Sequence, residues 1–360
     1  MATAALRLDY LPMNDIARRP TAWWGNVLGV VGFEKPPPIE LTQVPVTASM
    51  TPSLGANEDL CEVWSVLGAQ ALQSASGSPK RSQRQGRVHY RFCEDLLFGS
   101  VTIEEQSFDE GRGERSAGES PALSAATISA YGEIFDVLKR TEHRHLIRVW
   151  NYLPEINREA DGDERYRHFN CARQAAFRKS GRPTVASVPA ASALGSPAGS
   201  PISIYFLAAR EPPRTIENPR QTSAYYYPPK FGAYSPSFSR ACLLSASAGT
   251  NLFVSGTASI VGYETIHHGD VVAQTRETIA NIEALLGEAN RLVGASRYSL
   301  DALKFKVYVR QREDLGAIED ALSASVSPGA SIVYLQADVC REDLLVEIEA
   351  TGEPALGTAP

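Results

Sequence analysis

Histidine and cysteine are sparse in this 360-residue chain, six of one and five of the other. Cys61, Cys93, Cys171, Cys242 and Cys340 stand far apart, with no CxxC pair and no Cys/His combination at zinc spacing, so free thiols in a reducing cytoplasm are expected. The pairs His143/His145 and His267/His268 have no acid or thiol at ligand spacing, which argues against a metal site. No GxGxxG follows a strand, and a Walker loop, a GxSxG elbow and an HExxH helix are all missing. No cradle for a nucleotide is visible, and no cofactor is expected. No apolar run approaches the length of a membrane span, and the N-terminus lacks the basic-then-apolar pattern of a signal peptide. A cytoplasmic protein with no membrane partner is expected. Positive charge is not in surplus either: 35 Lys and Arg against 41 Asp and Glu leave a formal net charge of -6. Nucleic acid is therefore not an expected partner, although a local arginine cluster can still hold a small anion.

What is present is the composition of a globular protein, 43% hydrophobic and 21% charged, at a length that allows two domains. The apolar piece from Trp23 to Phe33 is rich in glycine and reads as short strands, closed by Pro36-Pro37-Pro38. Residues 57–65 suggest an isolated strand. Residues 74–86 form a basic, breaker-rich loop, with a phosphate-contacting tail as the alternative, and 106–122 form another polar loop. Alternation over 88–92 and 97–103 predicts strands. From there the pattern becomes regular: a helix over 123–139, a strand over 146–153, a helix over 164–178, a Ser/Ala/Pro/Gly loop over 187–201 and a strand over 202–207. The same order returns as a helix over 270–286, a strand over 303–309, a helix over 313–322, a loop over 327–331 and a strand over 331–335. The local sequences SPISIYFLAA (200–209) and SPGASIVYLQAD (327–338) rhyme. An internal duplication follows, with an N-terminal domain over 1–215 and a C-terminal domain over 216–360. In that alignment the first copy replaces the last strand of the second with the segment around Arg220.

That last strand, 344–350, places Leu344, Val346 and Ile348 on one face and Leu345, Glu347 and Glu349 on the other. A half-buried carboxyl loses hydration in its charged form, so its pKa rises and it can hold a proton near neutral pH. By pattern alone, two solvated glutamates on a half-exposed strand are the better fit. Between the two copies, residues 217–229 combine Arg220 with Tyr225, Tyr226, Tyr227 and stiffening prolines, and Arg240 follows. This is either interdomain packing or a pocket wall that offers hydroxyls and a guanidinium to a carboxylate.

Residues 230–350 resemble the Rid/YjgF family in Gly232 and Tyr234, in LFVSG (252–256), in the helix DVVAQTRETIANIEALL (270–286), in LKFKVYV (303–309) and in VEIEA (346–350). The resemblance implies an α+β fold of mixed sheets with helices packed on one face, here two such domains side by side. It also implies that Glu347, the first Glu of EIE, handles protons. The deaminases of that family carry an arginine where this chain has Ala330, which weighs against imine or enamine deamination.

From about residue 140 the chain is similar to the chorismatases, through RVWNYLPEIN (148–157), ERYRHFNCARQAAF (164–177), ENPRQTSAYYYP (217–228), YSPSFSRA (234–241), FVSGTAS (253–259) and CREDLLVEIE (340–349). The resemblance implies removal of the enolpyruvyl group of chorismate without a cofactor. Glu347 would protonate the enol-ether methylene. The dianion would be held among Arg165, Arg173, Arg220, Arg240 and Arg310, with Tyr225 and Tyr227 orienting it. Gly256 and Cys340 match the type that gives 3-hydroxybenzoate, and Cys340 would assist a proton or hydroxyl shift on the ring. A hydrolase giving a dihydroxycyclohexadienoate or mixed hydroxybenzoates, a Rid-type deaminase and a non-catalytic anion-binding module remain the other readings. Small members of the Rid fold build pockets between subunits, and a duplicated chain can make those contacts internally, so a monomer is expected.

Overall fold

The computed structural model describes residues 5–39, 44–55, 59–67, 81–108, 121–160, 162–246 and 249–354. Most of the 74–86 loop and of the 106–122 loop lies outside them. Strands β1 (Ala5–Pro12), β2 (Val27–Gly32), β3 (Val46–Ala48) and β4 (Leu60–Leu67) form a four-stranded sheet in the order β1-β4-β2-β3. The strand expected to be isolated near residues 57–65 is thus a central one, paired antiparallel with β1 and β2. Trp23 and Trp24 belong to a short helix, Thr21–Trp24, ahead of β2.

Two six-stranded sheets follow. The first contains β5 (Gln83–Gln85), β6 (Val88–Phe92), β7 (Leu96–Ile103), β8 (His145–Pro154), β9 (Ala190–Ser196) and β10 (Ile202–Ala209), with helices α1 (Pro121–Thr141) and α2 (Arg165–Lys179) between them. The second contains β11 (Arg214–Ile216), β12 (Ala241–Ala246), β13 (Gly249–Thr257), β14 (Leu303–Val309), β15 (Ser331–Gln336) and β16 (Val346–Gly352), with helices α3 (Val271–Val293) and α4 (Leu315–Ser323). Their orders, β9-β8-β10-β7-β6-β5 and β15-β14-β16-β13-β12-β11, match strand for strand. The fold is α+β, with mixed sheets. Among the described residues, no helix is long and apolar enough to cross a membrane.

This matching corrects two expectations. Residues 187–201 contain strand β9, which pairs parallel with β8 just as β15 pairs with β14. Its sequence AASALGS has little intrinsic strand preference, and packing overrides it. The residues are small because the other sheet approaches closely: a Cβ on Gly195 would lie 2.6 Å from the Cβ of Asp338. The counterpart of β16 is therefore β10 and not the segment around Arg220, and the rhyme between 200–209 and 327–338 paired strands that are not equivalent.

Register gives residue-level counterparts. Tyr152 pairs with Leu194 and Tyr308 with Leu335, while Ser203 and Tyr205 face Tyr152 and Trp150 as Glu347 and Glu349 face Tyr308 and Lys306. The Gly195 N–H donates to Asp338 O (2.7 Å), and the equivalent Gln336 N–H donates to Pro52 O (2.8 Å). Tyr152 and Tyr308 meet hydroxyl to hydroxyl at 2.8 Å.

The sheets pack face to face with helices outside. On β16, Val346, Ile348 and Ala350 lie under α3 with Ile279, Ile282 and Leu285. On β8, Val149 and Leu153 lie under α1 with Tyr131 and Leu138. The opposite faces of both sheets share a core of Trp150, Tyr205, Phe253 and Tyr308, to which the N-terminal sheet adds Leu8, Leu28, Phe33 and Trp64. Burying such side chains stabilises the fold by about 1.5–3 kcal/mol each. The alternation expected of the last strand is therefore present, and it points Glu347 and Glu349 between the sheets.

Candidate active site

Helix α3 holds the Glu347 strand in place. Asp270 caps it by accepting from the Ala273 N–H at 2.9 Å, and Gly294 ends it at φ 69°, a conformation that favours glycine. Its buried Gln274 donates to Asp343 O (2.8 Å) and accepts from the Leu345 N–H (2.8 Å), which fixes the entry to β16. Asn281 donates to Ala258 O and Ile260 O at 3.0 and 2.9 Å, which fixes the exit from β13. The pairing of β13 with β16 slips between Val254 and Thr257, and Gly256 sits in that irregularity beside Glu347. A Cβ there would fall 1.9 Å from Glu347 Oε1, so only glycine leaves the carboxyl its space.

Glu347 and Glu349 are 4% and 5% exposed, yet their surroundings divide them. Burial, then the charge of Glu349, push Glu347 up to about 8, against smaller opposing effects of Arg148, Arg240 and Arg310. Burial would raise Glu349 as well, but Lys306 and Arg148 outweigh it and hold that carboxyl below its ordinary range. Lys306 Nζ lies 3.1 Å from Glu349 Oε1 and Arg148 Nη2 lies 2.6 Å from Oε2, while Ser192 Oγ and Trp150 Nε1 donate to the same carboxylate at 2.7 and 2.6 Å. Near neutral pH the strand thus presents one protonated and one ionised carboxyl, the arrangement that separates an acid from a charge that keeps it an acid.

Glu347 faces a cavity of about 570 Å³ walled by Tyr166, Tyr227, Phe238, Arg240, Cys340 and Arg341, among others. A recess of about 40 Å³ shares Tyr166, Phe238, Gly256, Cys340 and Glu347 with it and adds Asn151, Asn170, Arg173 and Ser192. Three arginines border these spaces, and each keeps one buried guanidinium nitrogen without an acceptor among the described residues: Nη2 of Arg173, Nε of Arg240 and Nη2 of Arg341. At least one other nitrogen of each is anchored. Arg173 donates to Tyr131 Oη and Ser237 O (both 2.7 Å), Arg240 to Thr222 O (2.8 Å) and Tyr227 Oη (2.6 Å), and Arg341 to Tyr263 O (2.9 Å). A buried donor without a partner costs about 1–3 kcal/mol, so two beside the cavity and one beside its recess suit an anionic ligand.

The residues singled out from sequence divide accordingly. Glu347, Cys340, Gly256, Arg173, Arg240 and Tyr227 line the cavity or its recess. Arg165 grips Glu105 with two nitrogens, at 3.0 and 2.5 Å, and is not among the lining residues. Arg220 is bound to Glu277 (2.5 Å) and Asn281 (2.7 Å) outside it. Tyr225 packs edge-on against Tyr226, also outside. Arg310 donates to Leu344 O, Asp338, Asn157, Val339 O and Arg341 O, so it shapes the loop that carries Cys340 and Arg341 instead of meeting the cavity. Sequence reasoning did not single out Arg341, although it directly follows Cys340, nor Tyr166 and Asn170, although they lie one helical turn apart in ERYRHFNCARQAAF. No disulfide joins the cysteines among the described residues, and burial, then Glu347, push the Cys340 thiol up to about 12, so it stays a thiol.

Residues 74–208 match the family model described as "Chorismatase FkbO/Hyg5-like, N-terminal". A 3-hydroxybenzoate synthase from Streptomyces hygroscopicus is 43% identical over 233 residues, covering 62% of this chain and 68% of that one. A chorismatase from Streptomyces rapamycinicus is 37% identical over 300 residues, 81% of this chain and 82% of that one. A chorismatase crystal structure superimposes with a TM-score of 0.78 at 30% identity, covering 98% of this chain and 99% of that one. With a chorismatase 37% identical to it over 81% of its length and a chorismatase fold superimposing on 98% of it, the chain belongs to the chorismatase family.

Proposed function

We propose that the protein converts chorismate to 3-hydroxybenzoate and pyruvate, with Glu347 as the proton donor to the enol-ether methylene. The observation that carries this is the buried Glu347, pushed up to about 8 beside a Glu349 that Lys306 and Arg148 hold low, at a cavity bordered by Arg240 and Arg341 and a recess bordered by Arg173, each with a buried N–H that has no acceptor among the described residues. A dianion matches those donors, and its enol ether needs an acid that still holds its proton near neutral pH. Protonation forms the C–H bond of the future pyruvate methyl group and leaves an oxocarbenium ion. The atoms of chorismate divide into 3-hydroxybenzoate and pyruvate with nothing added, so no cofactor is required. The relative named 3-hydroxybenzoate synthase supports this product. Gly256 and Cys340 support it too: glycine leaves room at the Glu347 carboxyl, and a thiol that stays protonated can assist the ring shift. The division into domains at 215/216, the action as a monomer and the cytoplasmic site of action belong to the same proposal.

The test is incubation of the purified protein with chorismate, followed by chromatography of the products. Equal amounts of pyruvate and 3-hydroxybenzoate are expected, and absence of pyruvate would overturn the reading. Cys340→Ala is expected to move the product mixture toward the dihydroxycyclohexadienoate. An unchanged mixture would take the thiol out of the mechanism.

A further inference from the structure

One buried acid has no part in the reaction as proposed. Glu62, on β4 of the N-terminal sheet, is 0% exposed and forms an ion pair with Lys306. It also accepts from Tyr205 Oη at 3.2 Å and from the indole of Trp64. Lys306, 1% exposed, donates to Tyr205 Oη at 2.8 Å and reaches Glu349 on its other side. Burial opposes the Lys306 charge, but Glu349 and Glu62 reverse the effect and hold the ammonium well above the ordinary lysine range.

The chain of charges is therefore Glu62, Lys306, Glu349, Arg148, two negative and two positive, all between the sheets. Without Glu62, two cations would bracket a single carboxylate, and the cluster next to Glu347 would carry a net positive charge. A positive cluster favours the ionised form of a neighbouring carboxyl. We propose that Glu62 is a positioning residue: by balancing Lys306 it leaves the negative charge of Glu349 facing Glu347, and the N-terminal sheet thereby keeps the proton on Glu347.

The other groups facing these sites are known. Around Glu347 they are Arg148 from β8, Tyr166 from α2, Glu349 from its own strand, and Arg240, Arg310 and Cys340 from loops. Around Lys306 they are Lys304 from its own strand, which is paired with Glu353 at 2.7 Å, and Tyr10, Tyr152, Tyr205 and Tyr308, whose phenols burial holds above their ordinary range. Apart from Glu349, none of these groups brings a carboxylate to Lys306 as Glu62 does.

The proposal rests on Glu347 as proton donor only for its kinetic readout, so two measurements are paired. One is infrared difference titration of the Glu347 carboxyl, taken with and without the Glu347→Gln change. The other is the pH profile of kcat/KM for chorismate. In Glu62→Gln, the carboxyl titration and the alkaline limb of the profile are expected to move together to lower pH by about one unit, the scale of one uncompensated buried charge. In Glu62→Gln/Lys306→Met, which buries no unbalanced charge and so also guards against misfolding of the single variant, both are expected to return to the wild-type position. A purely structural role for Glu62 would not produce that return. The proposal is overturned if the carboxyl titration is unmoved in Glu62→Gln, or if the double variant keeps the shift. Movement of the titration without movement of the rate profile would uphold the charge balance and remove Glu347 as the donor.

Discussion

Glu347→Gln is expected to lower chorismate turnover by about 10²–10⁴-fold, the contribution of a positioned general acid, while leaving chorismate binding within a few-fold of wild type. Glutamine matches the size and neutrality of the protonated carboxyl but cannot release a proton to carbon. Turnover by stopped assay and binding by calorimetry separate the two effects. Weak binding together with weak turnover would mean that the residue holds the substrate instead of protonating it. The pH dependence has a definite sign. In the proposed mechanism the active form is the acid, and the carboxyl is held up to about 8 by burial and by Glu349, so the wild-type rate should be level below that pH and fall as pH rises through it. The residual rate of the glutamine variant should show no such fall.

Arg148→Met is expected to cost about 3–5 kcal/mol of stability in urea unfolding, the usual loss when one partner of a buried ion pair is removed. Arg148 is 1% exposed, and its guanidinium spans Glu349 Oε2 at 2.6 Å and Ser192 Oγ at 2.5 Å, joining β8 of one sheet to β16 of the other through β9. Methionine fills much of the same volume, so the loss would report the uncompensated carboxylate more than a void. A cost below about 1 kcal/mol would show that Lys306 alone satisfies Glu349, and the pair would then be a surface-like contact in energetic terms.

The sequence displayed the regular parts of this fold because local pattern governs them. The helix at Val271–Val293 and the strand at Leu303–Val309 were legible from apolar spacing, and the alternation of Val346, Glu347, Ile348 and Glu349 already placed both carboxyls on one face. What stayed hidden depends on distant partners. Strand Ala190–Ser196 reads as a loop because its residues are small, and they are small because a second sheet lies against them. The arginines could not be sorted, since Arg165 is neutralised by Glu105, 60 positions away, while Arg240 is left with a free donor by a fold no local window contains. The difference between Glu347 and Glu349 is of the same kind. Two residues apart on one strand, they diverge because Lys306 and Arg148 form ion pairs with the second, while on the first Arg148 acts too weakly to offset burial.

The matching strand orders also limit how many molecules a chain can process at once. Where the first sheet mirrors Glu347 it carries Ser203, whose hydroxyl donates to Ala48 O at 2.7 Å, so the N-terminal sheet stoppers the half that would have been a twin. Where it mirrors Glu349 and Lys306 it carries Tyr205 and Trp150, which stack at 4.5 Å, so neither position holds a carboxyl. Ligand titration should therefore saturate at a single equivalent per chain, the first half lending Tyr166 and Arg173 to the one site instead of holding a second.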